Sequence, residues 1–217
     1  MEEPLKELSV PVKQLDKPKW CRVGRHNTKV GISSVALDAD VIINLAKFKT
    51  HQQMVATFAV KNMFGCVAGK RKAIWHFRKG GKADDFCEFL IDIFEFLNPV
   101  LTIIDAVIAM DGPGPIRGGA RPLGWLIGGT EPIACETICC KLVNIKPEEL
   151  PIIKTARQMG LGCSDAGKIE IAGDNFSENI CADFELAKPT PLRFSLLHVC
   201  KSICKQILLL AKSLKRR

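Results

Sequence analysis

The sequence contains no tyrosine and only 11 Phe and 3 Trp, so it offers few aromatic side chains on which nucleic-acid bases stack. It also lacks the spacings of an RNP element, a zinc finger and a helix-turn-helix. The sequence therefore predicts that nucleic acid is not among its partners, even though the formal net charge is +8.

Paired cysteines are missing too. The chain has 10 Cys but no Cys-x-x-Cys pair, whereas compact zinc and iron–sulfur sites usually draw on such pairs. A phosphate loop of the G-x-x-x-x-G-K-[ST] type is also absent. We interpret most cysteines as small buried hydrophobic residues, and the sequence assigns no metal ligands.

The first ten residues, MEEPLKELSV, are acidic and polar. A secretory signal needs a basic start followed by a long apolar stretch. This difference predicts a cytoplasmic protein.

What the chain does contain is enough apolar sequence for a packed core. It has 217 residues, of which 47% are hydrophobic, and its positive charge suits an anionic partner. We expect a loop-rich lead-in over residues 1–34, one α/β domain over 35–175, and a basic amphipathic helix over 192–217.

Strand-like and helix-like segments alternate along the central part. Continuous apolar runs predict buried strands at 36–46 and 100–110, with further strands at 123–129 and 167–173. Helical spacing predicts helices from Thr50 to about Asn62 and over 83–98, 132–143 and 147–159. This order indicates an α/β fold with a mostly parallel sheet flanked by helices, in three layers.

A dense group of hydrogen-bond donors follows the first predicted strand. Thr50 would cap the following helix, whose free N–H groups would face the ammonium groups of Lys47 and Lys49. Lys61 and Asn62 would lie further along the same helix. This arrangement predicts a site for a small anion, and the alternative is a capped helix with solvated lysines.

Three other positions carry candidate chemistry. His51 and His76 have side chains suited to proton transfer or metal binding. Asp105 lies inside an apolar strand and needs a partner, for which a nearby lysine is a candidate. The candidate residues are His51, Lys61 and Asp105 for catalysis, and Lys47, Lys49, Thr50, Asn62, His76 and Gly112 for ligand binding.

These residues also carry a family resemblance. The stretches DADVIINLAKFKTHQQMVATFAVKNMFGCVAGKRKAIWH, PVLTIIDAVIAMDGPGPIRGGARPLGWLIGGTEPIACE and ARQMGLG resemble, over about residues 22–175, the family named domain of unknown function 362. Many of its members are described as iron–sulfur or ferredoxin-like proteins. The resemblance implies a [4Fe–4S] cluster, which we expect on a ferredoxin-like partner because the repeated cysteines of the ferredoxin-like module are absent here.

Two functions from different classes follow. The first is a redox-associated domain that binds an anionic substrate or cofactor at the strand-to-helix loop, as a component of an oxidoreductase. The second is a non-catalytic module that docks an acidic partner or a membrane surface through the basic tail. The sequence leaves the choice, and the question of whether the chain is an enzyme, open.

Overall fold

The protein has an α/β fold in a computed structural model that describes residues 7–69, 71–177 and 179–190. The described strands are β1 (Pro18–Val23), β2 (Thr28–Ser33), β3 (Ile43–His51), β4 (Val55–Thr57), β5 (Leu101–Asp111) and β6 (Gly119–Gly129). The described α-helices are α1 (Ser34–Leu37), α2 (Ala59–Met63), α3 (Arg71–Lys79), α4 (Ala83–Leu97), α5 (Pro132–Leu142) and α6 (Pro151–Gln158).

The main sheet has four strands in the order β4-β3-β5-β6, and only the β3–β5 pair is parallel. The expectation of a mostly parallel sheet is therefore wrong. The antiparallel pairs arise from two short connections, because β4 follows β3, and β6 follows β5, without a crossover helix. A parallel neighbour needs a crossover of a dozen or more residues, which only the β3-to-β5 connection supplies.

Helices cover one face of this sheet, so the described part has two layers of structure where three were expected. Along β3 the inward side chains include Ala46 and Phe48, whereas Leu45 on the other face is 68% exposed. Helices α2 and α5 contact the sheet, and α4 packs against α2 and α6. The apolar core lies between the sheet and these helices.

Within the lead-in, β1 and β2 form an antiparallel hairpin that the sequence did not predict. Its turn runs from Gly24 to Asn27, both with positive φ. Val23, Val30 and Ile32 are buried by packing on the rest of the core. The charges and glycines around these residues obscured the alternating pattern of the two strands in the sequence.

Strand β3 begins later than expected and continues through the polar residues to His51. The predicted helix from Thr50 is wrong, because Thr50 pairs with Ala56 of β4 in a hairpin and the helix starts only at Ala59. The alternation in Lys47-Phe48-Lys49-Thr50 has the period of a strand, and it continues the pleat of the apolar run.

Four of the other predicted elements are present: a strand close to 100–110 and helices close to 83–98, 132–143 and 147–159, of which the last begins only at Pro151. Strand β6 includes 123–129 but starts at Gly119, inside the predicted loop. The predicted strand 167–173 is absent from the described structure. That segment lies along a cleft of about 960 Å³ beside β6 and does not pair with it.

The predicted tail helix over 192–217 lies outside the described residues. None of the described helices is long and apolar enough to cross a bilayer.

Candidate functional site

The predicted site residues separate into two groups along β3. Lys47 lies on the outer face, where its Nζ is 2.7 Å from Asp105 Oδ2 on the neighbouring strand. This hydrogen bond lowers the pKa of Asp105, and both side chains are about half exposed. A lysine partner for Asp105 was expected, and the structure supplies it from the adjacent strand of the sheet.

The second group forms what we call the base cluster: Lys49 and His51 of β3, Lys61 of α2, and Lys72 and His76 of α3. A register shift between Lys47 and Lys49 interrupts the β3–β5 pairing, so Lys47 lies opposite Asp105 whereas Lys49 lies opposite Met110. Lys61, His76 and Lys49 all act on the pKa of His51, and Lys49 and Lys72 act on the pKa of Lys61. Neither Lys47 nor Asp105 contributes to the pKa shifts of His51 or Lys61.

His51 is a buried, neutral imidazole. Only 6% of the residue is exposed, and its Nδ1 accepts a hydrogen bond from the Gln53 N–H at 3.1 Å. Burial, followed by the charges of Lys61, His76 and Lys49, lowers the pKa of His51 to about 3. Because Nδ1 is an acceptor, the proton is assigned to Nε2, which makes His51 a neutral donor.

Lys61 lies in the first helical turn of α2 and is partly buried. Burial, then the charges of Lys49 and Lys72, lowers the pKa of its ammonium group to about 8. Its Nζ stands 6.0 Å from the centre of the Phe64 ring. Within the described part of the chain, none of the three lysines of the base cluster forms an ion pair with a carboxylate.

His76 closes the base cluster from α3. The residue is 8% exposed, and its ring lies 4.4 Å from the ring of Phe86 and 5.8 Å from that of Phe64. These aromatic contacts fix the position of the imidazole in the core.

Asn62 connects α2 to β3. Its Nδ2 donates to Asn44 Oδ1 at 2.8 Å and to the Leu45 carbonyl at 2.9 Å, while Asn44 donates to the Ala59 carbonyl. The position of Lys61, one residue earlier, is therefore set by the sheet. Asn62 supports the site through this contact, and direct ligand binding by Asn62 stays a prediction.

Thr50 and Gly112 contact each other. The Thr50 hydroxyl donates to the Gly112 carbonyl at 2.9 Å, and the Gly112 N–H donates to the Glu185 carbonyl at 2.7 Å. Gly114 packs so closely that a Cβ there would lie 2.2 Å from the Thr50 carbonyl oxygen. These contacts hold the β5–β6 loop against the end of β3, and the ligand-binding roles of both residues stay predictions.

Glu136 is a feature of the site that the sequence did not indicate. It is 1% exposed, and it accepts hydrogen bonds from the N–H groups of Val60, at 2.8 Å, and Ala59. Burial is the main reason that its pKa rises to about 7. The carboxylate thus supports the start of α2 from α5, and its placement among apolar residues of α5 was the available signal.

The described cysteines do not fit an iron–sulfur cluster. No group of three or more His, Cys, Asp or Glu side chains able to hold a metal occurs among the described residues. Cys139 and Cys140 are buried thiols whose pKa values are raised mainly by burial, as expected for core residues. Cys200 and Cys204 lie outside the described residues.

Comparison with known proteins connects this chain to one curated relative. A thylakoid-associated protein of Synechocystis sp. is 30% identical over 202 residues, which cover 93% of this chain and 63% of the relative. The chain thus spans less than two thirds of the length of that relative. No solved structure matches the chain.

The family comparison agrees with the motifs around the base cluster. The profile described as domain of unknown function (DUF362) matches residues 1–141, which include β1 to β6 and nearly all of α5. The resemblance carried by the sequence motifs is therefore confirmed, and this chain belongs to the domain of unknown function 362 family.

Proposed function

We propose that this protein binds a small anionic ligand at the base cluster. The observation that carries the proposal is that three lysines and two histidines come together from β3, α2 and α3, while none of these lysines forms an ion pair with a carboxylate of the described residues. An anion would offset their mutual repulsion and the desolvation of Lys61. The site differs from the expected one because it lies beside a β-hairpin and does not use the N-terminus of a helix after Thr50.

The proposed roles follow from position and charge. Lys49, Lys61 and Lys72 would donate charge-assisted hydrogen bonds to the oxygen atoms of a phosphate or carboxylate. His51 would add a neutral N–H, because its pKa of about 3 keeps the ring uncharged at neutral pH. Asn62 and Glu136 would hold α2, and hence Lys61, in place.

The proposal keeps an association with redox chemistry, which a partner protein would carry out. A [4Fe–4S] group, which the family resemblance implies, would belong to a separate ferredoxin-like protein, because the repeated cysteines of the ferredoxin-like module are absent from this sequence. Peripheral membrane contact is also a proposal, supported by the thylakoid association of the relative. The outer sheet face adds support, because Ile43 and Leu126 there are 53% and 65% exposed.

Calorimetric titration with inorganic phosphate at pH 7 and low salt tests the proposal. The parent chain should bind phosphate, and Lys61→Gln should weaken the affinity by about tenfold or more, because a hydrogen bond to a charged group contributes about 1.5–3 kcal/mol. Lys49→Gln should act in the same direction.

Lys154→Gln provides the matched control, since Lys154 is exposed on α6 and its substitution changes the net charge equally. It should leave the affinity unchanged. Absence of phosphate binding, or an equal effect of the Lys61 and Lys154 substitutions, would refute a specific anion site.

A further inference from the structure

We propose that Lys61 is a nucleophilic amine that forms an imine with a carbonyl-bearing anion, of which 2-oxo acids are the simplest class. This inference rests on the proposed anion site and names the class of ligand that the site would take. It assigns a covalent step to a residue for which family membership gives no role.

The surroundings of Lys61 favour a neutral amine over a charged ammonium group that only stabilises the fold. Its Nζ faces the Phe64 ring, and no described carboxylate pairs with it. The charged groups that act on its pKa are Lys49 and Lys72. Desolvation and neighbouring cations are the two devices that make a lysine nucleophilic. Both occur here together.

The charge state of the amine agrees with this geometry. The pKa of Lys61 is lowered to about 8, so about half of the amine is neutral at pH 8. An exposed lysine, with a pKa of about 10.4, is neutral in well under about 1% of molecules at that pH. Lys61 therefore offers a large excess of reactive amine over the surface lysines.

The backbone around Lys61 is also fixed. Asn62 donates two hydrogen bonds to β3, and Glu136 accepts from the N–H of Val60. The backbone that carries the amine is thus held on both sides in sequence.

The step is balanced without an oxidant or a reductant. The neutral Nζ attacks the carbonyl carbon to form a C–N bond, and the carbinolamine then loses its oxygen as water to give the imine. Both hydrogens of that water come from the attacking amine, and the Nε2–H of neutral His51 would donate a hydrogen bond to the departing oxygen. Lys49 and Lys72 would hold the carboxylate of the 2-oxo acid while the bond forms.

Trapping with sodium borohydride tests the inference on the full chain. Pyruvate and borohydride should give one dominant covalent adduct by intact mass, located on Lys61 by peptide mapping. Formation of this adduct should increase with pH to a half-maximum near pH 8, and it should exceed adduct formation on Lys154 by about tenfold or more.

Lys61→Arg separates this inference from the anion site, because arginine keeps the positive charge but cannot form an imine. This variant should still bind phosphate and should lose the dominant adduct, with folding checked by circular dichroism. Phosphate binding by the parent chain without a Lys61 adduct, or adducts spread over lysines according to exposure, would overturn the imine and leave the anion site standing. Absence of phosphate binding by the parent chain would overturn both the imine and the anion site.

Discussion

Two buried groups near α2 have pKa values displaced in opposite directions. The pKa of His51 falls to about 3 and that of Glu136 rises to about 7, and burial is the largest cause of both shifts. The His51 contribution to stability is present above its unfolded pKa of about 6.5 and is lost as the pH falls toward 3. The Glu136 contribution is present below its unfolded pKa of about 4.5 and is lost as the pH rises toward 7.

Replacement of Glu136 by glutamine should isolate its contribution. The quantity to compare is the free energy of unfolding of the parent chain minus that of Glu136→Gln. This difference should fall by up to about 3 kcal/mol between pH 4.5 and pH 7. Urea denaturation of both proteins at several pH values measures this difference, and the His51 effect cancels because both proteins keep that residue. A difference that stays constant with pH would show that Glu136 is not held with a raised pKa.

The sequence identified Lys49, His51, Lys61 and His76 as candidates, but it identified neither Lys72 nor which of these residues meet. Lys47, Lys49, His51 and Lys61 were obvious candidates because they fall within one short polar stretch. The strand register, with its shift after Lys47, decides that Lys47 pairs with Asp105 while Lys49 acts on His51. Register depends on pairing with β5, far along the chain, and is not visible in the local pattern.

At the scale of elements, a single carboxylate joins α5 to the segment after α6. The two oxygens of Glu131 accept hydrogen bonds from the N–H groups of Ile133 at 2.8 Å, Ala134 at 2.7 Å and Cys163 at 3.0 Å. Gly162 has φ +67°, and a Cβ there would lie 2.7 Å from Glu131 Oε1. Glu131 therefore caps α5 and adds a tertiary contact to the segment after α6.

Substitution of this cap should destabilise the protein measurably. Glu131→Ala should lower the free energy of unfolding by about 2 kcal/mol, because it removes the cap of α5 and leaves the Cys163 N–H without its acceptor. Thermal and urea unfolding measure the loss. Glu148→Ala is the control, since Glu148 is exposed, and it should change stability by less than about 0.5 kcal/mol. Equal effects of the two substitutions would contradict the role of the cap.

The elements that could be predicted are those whose apolar spacing and terminal residues lie within the element itself. Helix α4 begins with Asp84 and Asp85 and has apolar residues at helical spacing, so its position was predictable. The β3–β4 hairpin was not, because His51, Met54 and Phe58 happen to follow the spacing of a helix. The first half of β6 was hidden by glycine and proline, which an edge strand tolerates because one side of its backbone makes no sheet pairing.

Over the whole molecule, the base cluster and the outer sheet face are distinct regions. The helices cover the inner face, and the outer face combines exposed apolar side chains such as Leu45 and Leu126 with the Lys47–Asp105 pair. The base cluster forms where the β3–β4 hairpin meets α2 and α3. The two-layer arrangement follows from antiparallel returns, which the α/β pattern of the sequence did not reveal.

The central claim is that the base cluster is a set of mutually repelling bases that an anion stabilises. NMR titration of the Lys61 ammonium group, assigned by its loss in Lys61→Arg, tests this claim most directly when it is run with and without inorganic phosphate. The account predicts a pKa near 8 in the free protein and an upward shift when phosphate binds, because an anion stabilises the charged form. A pKa near the ordinary value of 10.5 under both conditions would contradict it.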